Sequence, residues 1–179
     1  PASAITTSDI LTEQARARIG RVMRCPVHSW YGSHEFNGYV AGTLPDGDGY
    51  AFNPLFVYAE VVDEDGRPVG SGEIGRLVLT DLNNYVFPFV RYDTEDLAVE
   101  SEERFHGGFR LVGSIEGRDS DVLSLPSGRT ISAVSLGQLL FGVGDLEPFV
   151  RSYQCAQTGD DELELRVVWK VPPTPALEG

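Results

Sequence analysis

Three short clusters in this 179-residue chain bring together carboxylates, hydroxyls and, in two of them, an arginine, in patterns that could do chemistry. The first is Tyr31-Gly32-Ser33-His34-Glu35. An aromatic at a strand end offers a flat face to a heterocycle, and glycine lets a ligand approach the backbone closely. Ser33 can hydrogen-bond an anion, and Glu35 can offer a hard oxygen to Mg²⁺. The second is Arg91-Tyr92-Asp93-Thr94-Glu95-Asp96. Asp96 can accept two hydrogen bonds from a ribose diol, as carboxylates do in dinucleotide sites. The cluster can equally be an acidic loop facing water, with Arg91 as a salt-bridge partner for its acids. The third is Gly117-Arg118-Asp119-Ser120-Asp121. A Gly-Arg-polar string between two units suits a hinge that carries a phosphate-reaching arginine.

These clusters need elements to hold them. The pattern predicts a helix over 9–22, capped by Asp9, with Ile10, Leu11, Ile19 and Val22 as its apolar stripe. Residues 26–31 read as a strand that stops at Gly32, so the first cluster falls at a strand end. Residues 42–54 are rich in Gly, Pro and Asp and read as loop. Residues 56–62 alternate cleanly, 63–68 form a turn, and 75–80 form the next strand. Residues 86–92 read as extended around Pro88, at a sheet edge or bend. Another strand is expected over 110–115. Beyond the third cluster, 122–125 and 129–131 form a hairpin, 133–142 a helix, and 148–156 with 162–171 a strand pair.

The fold expectation is therefore α+β. Residues 55–115 should form an antiparallel, barrel-like sheet, and residues 117–179 a small β-β-α-β-β unit with a hinge at 117–121. Acids outnumber bases 27 to 14, giving a formal charge of −13. Such a surface repels polyanions, so nucleic acid is disfavoured as a partner. Thirteen of the 14 bases are arginine, and Lys170 is the sole lysine. Cys25 and Cys155 are far apart, and His28, His34 and His106 lack metal-ligand spacing, so no zinc site is supported. No apolar run reaches the ~20 residues of a membrane-spanning helix.

Taken in order, the clusters resemble the adenylate-forming enzymes, the superfamily of acyl-CoA synthetases, adenylation domains and luciferases. The phenylacetate–CoA ligase branch is the most similar. The matching text is Tyr-Gly-Ser-His-Glu at 31–35, Gly-Glu-Ile-Gly-Arg-Leu-Val-Leu-Thr at 72–80, Pro88 with Arg-Tyr-Asp-Thr-Glu-Asp-Leu at 91–97, and Gly-Arg-Asp-Ser-Asp-Val-Leu at 117–123. Such enzymes join a carboxylate to ATP, releasing pyrophosphate, and then pass the acyl group to coenzyme A or another thiol. The resemblance implies Tyr31 near adenine, Gly32 and Ser33 at the nucleotide, Glu35 on Mg²⁺ and Asp96 on the ribose hydroxyls. Arg118 would reach the nucleotide from the hinge as the catalytic residue. ATP or AMP, Mg²⁺ and coenzyme A would be the cofactors. A small carboxylic acid would be the substrate, with a carrier protein or a second copy as further partners, in the cytoplasm.

The chain departs from the family pattern in places. His34 occupies a variable position and reads as pocket lining or surface. Glu95 stands where many relatives carry glycine, which adds negative charge beside a triphosphate. The usual hinge acid falls on Ser120, and Asp121 matches the following acid. The family's phosphate loop is expected before residue 1 and its catalytic lysine beyond residue 179. Lys170, in a strand-like run, reads as structural. The chain thus reads as an interior slice, with 1–116 the end of a large adenylation domain and 117–179 the start and middle of a small one. The alternative is a non-catalytic β-rich binding or regulatory module with vestigial motifs. Trp30, Phe36 and Tyr39 flank the first cluster and read as lining for an aromatic acid or as core.

Overall fold

The computed structural model describes residues 1–44, 49–105, 109–119, 122–124, 130–132, 136–137, 139, 149–159 and 162–171. They fall into two compact units, Pro1–Ser120 and Asp121–Gly179.

The first unit is one eight-stranded sheet with one helix. Its strands are β1 (Ala4–Thr6), β2 (Val27–Ser33), β3 (Gly38–Thr43), β4 (Tyr50–Phe52), β5 (Val57–Val62), β6 (Ile74–Asp81), β7 (Tyr92–Phe105) and β8 (Phe109–Arg118). The spatial order is β1-β2-β3-β4-β8-β7-β6-β5. β1 pairs with β2 in parallel, and every other pairing is antiparallel. The sheet stays open, with β1 and β5 as its edges. The expected α+β class holds, and barrel-like describes its curl rather than its closure.

Inward-facing residues build the core. On β5, Val57, Ala59 and Val61 are buried while Tyr58 is exposed, the period-two alternation of a strand with one wet face. Leu77 and Leu79 of β6, Ala98 of β7, Val112 of β8 and Phe52 of β4 join them. Phe36, Phe89 and Tyr92 form an aromatic cluster against this core, with ring centroids 4.9–5.9 Å apart.

The helix α1 (Glu13–Met23) begins later than the sequence suggests. Thr12 is its cap, its hydroxyl accepting from the Ala15 amide at 3.1 Å, whereas Asp9 accepts only from its neighbour Ile10. Ile10 and Leu11 thus precede the helix, and Val22 is exposed rather than part of a buried stripe. Arg16 ties α1 to β2 by donating to the Val27 carbonyl at 2.6 Å.

Other readings are corrected too. Residues 42–54 contain the end of β3 and all of β4, short strands hidden among glycines and prolines. Residues 86–91 form no strand; Tyr85, Val86, Phe87 and Val90 are exposed there, and Phe89 turns inward. The second cluster, whose alternative reading was an acidic loop at 91–96, lies from Tyr92 onward in the long strand β7. β8 continues to Arg118, so the third cluster begins inside a strand.

In the second unit, β9 (Val122–Ser124) and β10 (Thr130–Ser132) pair antiparallel, as do β11 (Val150–Gly159) and β12 (Glu162–Trp169). Most of the helix expected over 133–142, the tail 172–179, Ser120 and Asp121 lie outside the described residues.

One glycine fixes the first cluster in place. A Cβ on Gly32 would meet the Gly38 carbonyl oxygen at 2.0 Å and the Tyr39 Cα at 2.6 Å. The close approach at Gly32 is made by β3, in a register where Tyr31 faces Ala41 but Gly32 faces Tyr39. Gly32→Ala is expected to destabilise the fold by about 2–3 kcal/mol, because backbone on both sides must shift. Urea unfolding checks this, and an unchanged midpoint would show that the strands separate there without strain.

Candidate functional site

Residues from each of the three clusters meet in the first unit: Tyr31 and Glu35, Tyr92 with Glu95 and Asp96, and Arg118. The Tyr31 hydroxyl on β2 donates to Asp96 Oδ2 on β7 at 2.7 Å. Asp96 and Arg118 are direct partners across β7 and β8, with Arg118 Nε 3.9 Å from Asp96 Oδ1. Arg118 Nη1 lies 3.7 Å from Glu95 Oε2. The Tyr92 hydroxyl reaches Glu35 Oε1 at 3.4 Å, a long contact that links β7 to the β2–β3 turn. Tyr31, Glu35, Asp96 and Arg118 thus lie in one neighbourhood.

Local irregularities aim these groups. Between Val78↔Asp93 and Arg76↔Leu97, Thr94, Glu95 and Asp96 all oppose the single residue Leu77. This two-residue bulge is pinned by Thr94, whose hydroxyl donates to the Leu77 carbonyl at 2.8 Å, and by Asp93, whose carboxylate accepts from the Glu95 amide at 3.0 Å. Glu95 at the bulge has φ 61°. That left-handed backbone strains most residues with a Cβ, Asn and Asp least, which explains why a glycine suits this position. On β8, Leu97 faces Gly117 but Ala98 faces Ile115, so Glu116 is an extra residue. Gly117 takes φ 104° at that bulge, and the kink turns Arg118 onto Asp96. On β2–β3, Asn37 (φ 57°) and Gly38 (φ 127°) close the turn that carries His34 and Glu35.

The environment of each group follows from burial. Tyr31 packs across the sheet on Phe52 and Tyr50 of β4, with ring centroids 6.0 and 6.4 Å away. Burial, and then the Asp96 charge, push its hydroxyl far above the usual phenol range, so it stays a hydrogen-bond donor. Burial likewise raises Asp96 above the usual carboxylate range, against the opposing pull of the Tyr31 hydrogen bond and Arg118. Glu35 is held below its usual range, first by the nearby Ser33 hydroxyl and then by its own backbone amide. Ser33 Oγ approaches that carboxylate without full hydrogen-bond geometry and is otherwise buried and unpartnered. His34 is exposed.

The remaining polar residues of the second cluster are structural. Arg91 pairs with Glu60 at 3.2 Å and donates to the Gly66 carbonyl at 2.8 Å, rather than pairing with the acids beside it. Asp93 pairs with Arg76 at 2.8 Å. Sequence reasoning did not identify Tyr92 as a contact of Glu35; its place one residue after Arg91 in the cluster was the available signal. Of the flanking aromatics, Phe36 is core, while Trp30 and Tyr39 are half-exposed and stack edge to face at 5.2 Å. Phe36 and Tyr39 also line a surface cleft of about 370 Å³ with Phe56 and Asn83, and Trp30 does not.

Among the described residues no three His, Cys, Asp or Glu side chains form a metal cage. The arrangement instead offers one carboxylate at the turn, a second carboxylate gripped from two sides, and a guanidinium with 62% of its side chain exposed. That set can hold a hydroxylated ligand at Asp96 and an anionic one at Arg118.

Asp96 supplies a pH test. Because its folded pKa is raised, the fold binds its proton more tightly than the unfolded chain does. Its contribution favours the fold in acid and is lost as pH rises through the raised range. Asp96→Asn, which keeps an acceptor for Tyr31, is expected to raise the melting temperature at pH 7 and to flatten that part of the pH–stability profile. Melts from pH 4 to 8 check this; a lower melting temperature at pH 7 would mean that the ionised carboxylate stabilises the fold.

No family model matches the chain. It is 32% identical over 111 residues to the phenylacetate–coenzyme A ligase of Thermus thermophilus, across 60% of this chain and 25% of that protein. The fold is similar to that of 2-hydroxyisobutyryl-CoA ligase in the postadenylation state with R3-HIB-AMP, with TM-score 0.72 and 19% identity over 93% of this chain and 36% of that one. It is also similar to the anthranilate CoA ligase AuaEII in complex with anthranoyl-AMP, with TM-score 0.72 and 16% identity over 98% and 35%. O-succinylbenzoate coenzyme A synthetase (MenE) of Bacillus subtilis, in complex with AMP, gives TM-score 0.70 and 18% identity over 98% and 37%. The chain spans a quarter of the curated relative and little more than a third of these solved chains.

Proposed function

We infer that this chain, with the fold of the adenylate-forming CoA ligases and sequence likeness to their phenylacetate–CoA ligase branch, is part of an enzyme that activates a carboxylic acid with ATP. Residues 1–116 would close the large adenylation domain and 117–179 would open the small one after a hinge at 117–121. The observation that carries this reading is the meeting of Tyr31, Asp96 and Arg118, which lie 65 and 22 residues apart in sequence order.

Asp96 is the ribose-binding group. Its two oxygens have about four acceptor positions, so the Tyr31 bond and the Arg118 contact leave room for a diol. Tyr31 lies beside the adenine and holds the carboxylate in place. Gly32 and Ser33 act on the site from behind: β3 fills the space at Gly32, and the buried Ser33 Oγ faces the Glu35 carboxylate and favours its ionised form. Arg118 reaches the phosphates from the start of the hinge.

Glu35 fits a magnesium site of the usual kind, in which one or two carboxylates act together with substrate phosphates. It is an ionised, part-exposed carboxylate at a turn. A magnesium ion bound there supplies charge neutralisation to the phosphate chain.

In the reaction, a substrate carboxylate oxygen attacks the α-phosphorus, the bond to the bridging oxygen breaks, and pyrophosphate leaves. A thiolate then attacks the acyl carbonyl and AMP leaves as the mixed anhydride breaks. These steps need positioning and charge stabilisation more than a protein nucleophile. Coenzyme A, named for the ligases of similar fold, is the favoured acceptor, and an aryl or related acid the favoured substrate.

Carboxylate-dependent exchange of pyrophosphate into ATP tests the assignment in the protein that carries this chain at full length. Asp96→Ala is expected to raise the KM for ATP at least tenfold with little loss of thermal stability; equal loss of both would make Asp96 a structural carboxylate. Arg118→Ala is expected to lower turnover by about two to three decades, and an unchanged rate would remove it from the site. The isolated 179-residue chain is expected not to catalyse exchange; robust turnover by it would overturn the reading of these residues as an incomplete part of the enzyme.

A further inference from the structure

Glu95 is an anomaly twice over. Its φ of 61° is a conformation that strains a glutamate and suits glycine or asparagine. Its carboxylate also sits beside the guanidinium that the functional reading sends to a phosphate group. Backbone strain retained where another residue would relieve it points toward a role.

The surroundings say what that role is. Arg118 touches two carboxylates at once, Glu95 at 3.7 Å and Asp96 at 3.9 Å. Asp96 is already engaged by the Tyr31 hydroxyl. Glu95, with 75% of its side chain exposed, has no other ion-pair partner among the described residues and stands at the apex of the bulge. Arg118 follows the Gly117 bulge near the end of β8. The guanidinium, 62% exposed, is thus held between Glu95 and Asp96 rather than packed in the core.

We propose that Glu95 is a positioning residue that tethers Arg118 beside the sugar-binding carboxylate and competes with the ligand's phosphate for that guanidinium. A nucleotide phosphate must displace Glu95 before Arg118 can bind it. Binding is therefore weaker than it would be with an uncharged residue at 95, and Arg118 becomes available chiefly when a phosphate is present to take it. This deepens the nucleotide-site reading and rests on it.

The test separates charge from backbone. In the full-length protein, AMP is titrated calorimetrically against wild type, Glu95→Gly, Glu95→Asn and Glu95→Gln. Glycine and asparagine tolerate the left-handed backbone; glutamine does not. All three substitutions remove the charge. The tether predicts that all three bind AMP about two- to fivefold tighter, the scale of an exposed ion pair, while melting temperature rises for Gly and Asn only. In an Arg118→Ala background the gain from Glu95→Gln should vanish.

A gain that persists without Arg118 would mean direct repulsion of the phosphate and overturn the tether. Tighter binding by Gly and Asn but not Gln would assign the effect to the backbone and overturn it as well. Equal, measurable affinity in all four proteins overturns this proposal and leaves the nucleotide reading standing, whereas no AMP binding by any of them removes both. If Arg118→Ala binds too weakly to titrate, the same double-mutant cycle is read in thermal unfolding, where zero coupling between Glu95 and Arg118 overturns the tether.

Discussion

The hydrogen bond from Tyr31 to Asp96 constrains the whole first unit. Their strands, β2 and β7, stand four places apart in the sheet. At about 4.8 Å per strand, a flat sheet would separate them by about 19 Å. A 2.7 Å bond between their side chains therefore requires a strongly curled sheet. The interior supports that curl, for Tyr31 spans it by packing on Phe52 and Tyr50 of β4. Curling also puts Asp96 inside, where it loses water. The raised pKa of Asp96 is the cost of that placement, and the apolar burial of Phe52, Leu77, Leu79 and Val112 offsets it.

The chemistry-bearing residues sit where the sheet breaks its own rules. A regular strand sends alternate side chains to opposite faces, so three neighbours such as Thr94, Glu95 and Asp96 cannot serve one site from a flat ladder. The bulge opposite Leu77 releases them from alternation, and the bulge at Glu116–Gly117 does the same for Arg118. Gly32 allows the opposite adjustment, a close approach by β3 that fixes where the turn bearing Glu35 begins. The regular parts of β5 and β6 carry the core, and the irregular parts of β2, β7 and β8 carry the candidate site.

That division explains what could be read from the sequence. Strands β5 and β6 were legible because Val57, Ala59 and Val61 alternate with wetter residues and Leu77 to Leu79 form an apolar run. The hairpins β9–β10 and β11–β12 were legible from turn residues between apolar stretches. Strand β7 was not, because its bulge destroys the period of two and its acids imitate a solvated loop; only Leu97 and Ala98 betray it. Strands β3 and β4 hid behind glycine and proline. The helix boundary slipped because Asp9 and Thr12 are both competent caps, and the choice fell on the one whose hydroxyl meets Ala15. The order of the three clusters suggested a common site, but the partners of each residue lay in register and curvature. So Arg91 looked available to the acids beside it, while geometry gave it to Glu60.

Electrostatics sets the terms on which such a site can bind anything. Glu35, Glu95 and Asp96 lie close enough for the first two to raise the pKa of the third, and Arg118 is the one cation among the causes that perturb it. The chain around them carries a formal −13. A phosphate chain approaching this surface meets net repulsion, which salt screens out beyond about 8 Å at physiological ionic strength. On the nucleotide reading, sugar and base contacts must therefore provide the hold, and positive charge must come from a divalent cation at Glu35 or from groups beyond the described residues. Arg118 alone cannot both neutralise two carboxylates and attract a polyphosphate. A guanidinium that changes partners resolves the conflict. On the proposed reading, the guanidinium would cancel part of the acidic cluster when no ligand is bound and would pair with the phosphate when one is, with the ribose hydroxyls filling the remaining acceptor positions of Asp96.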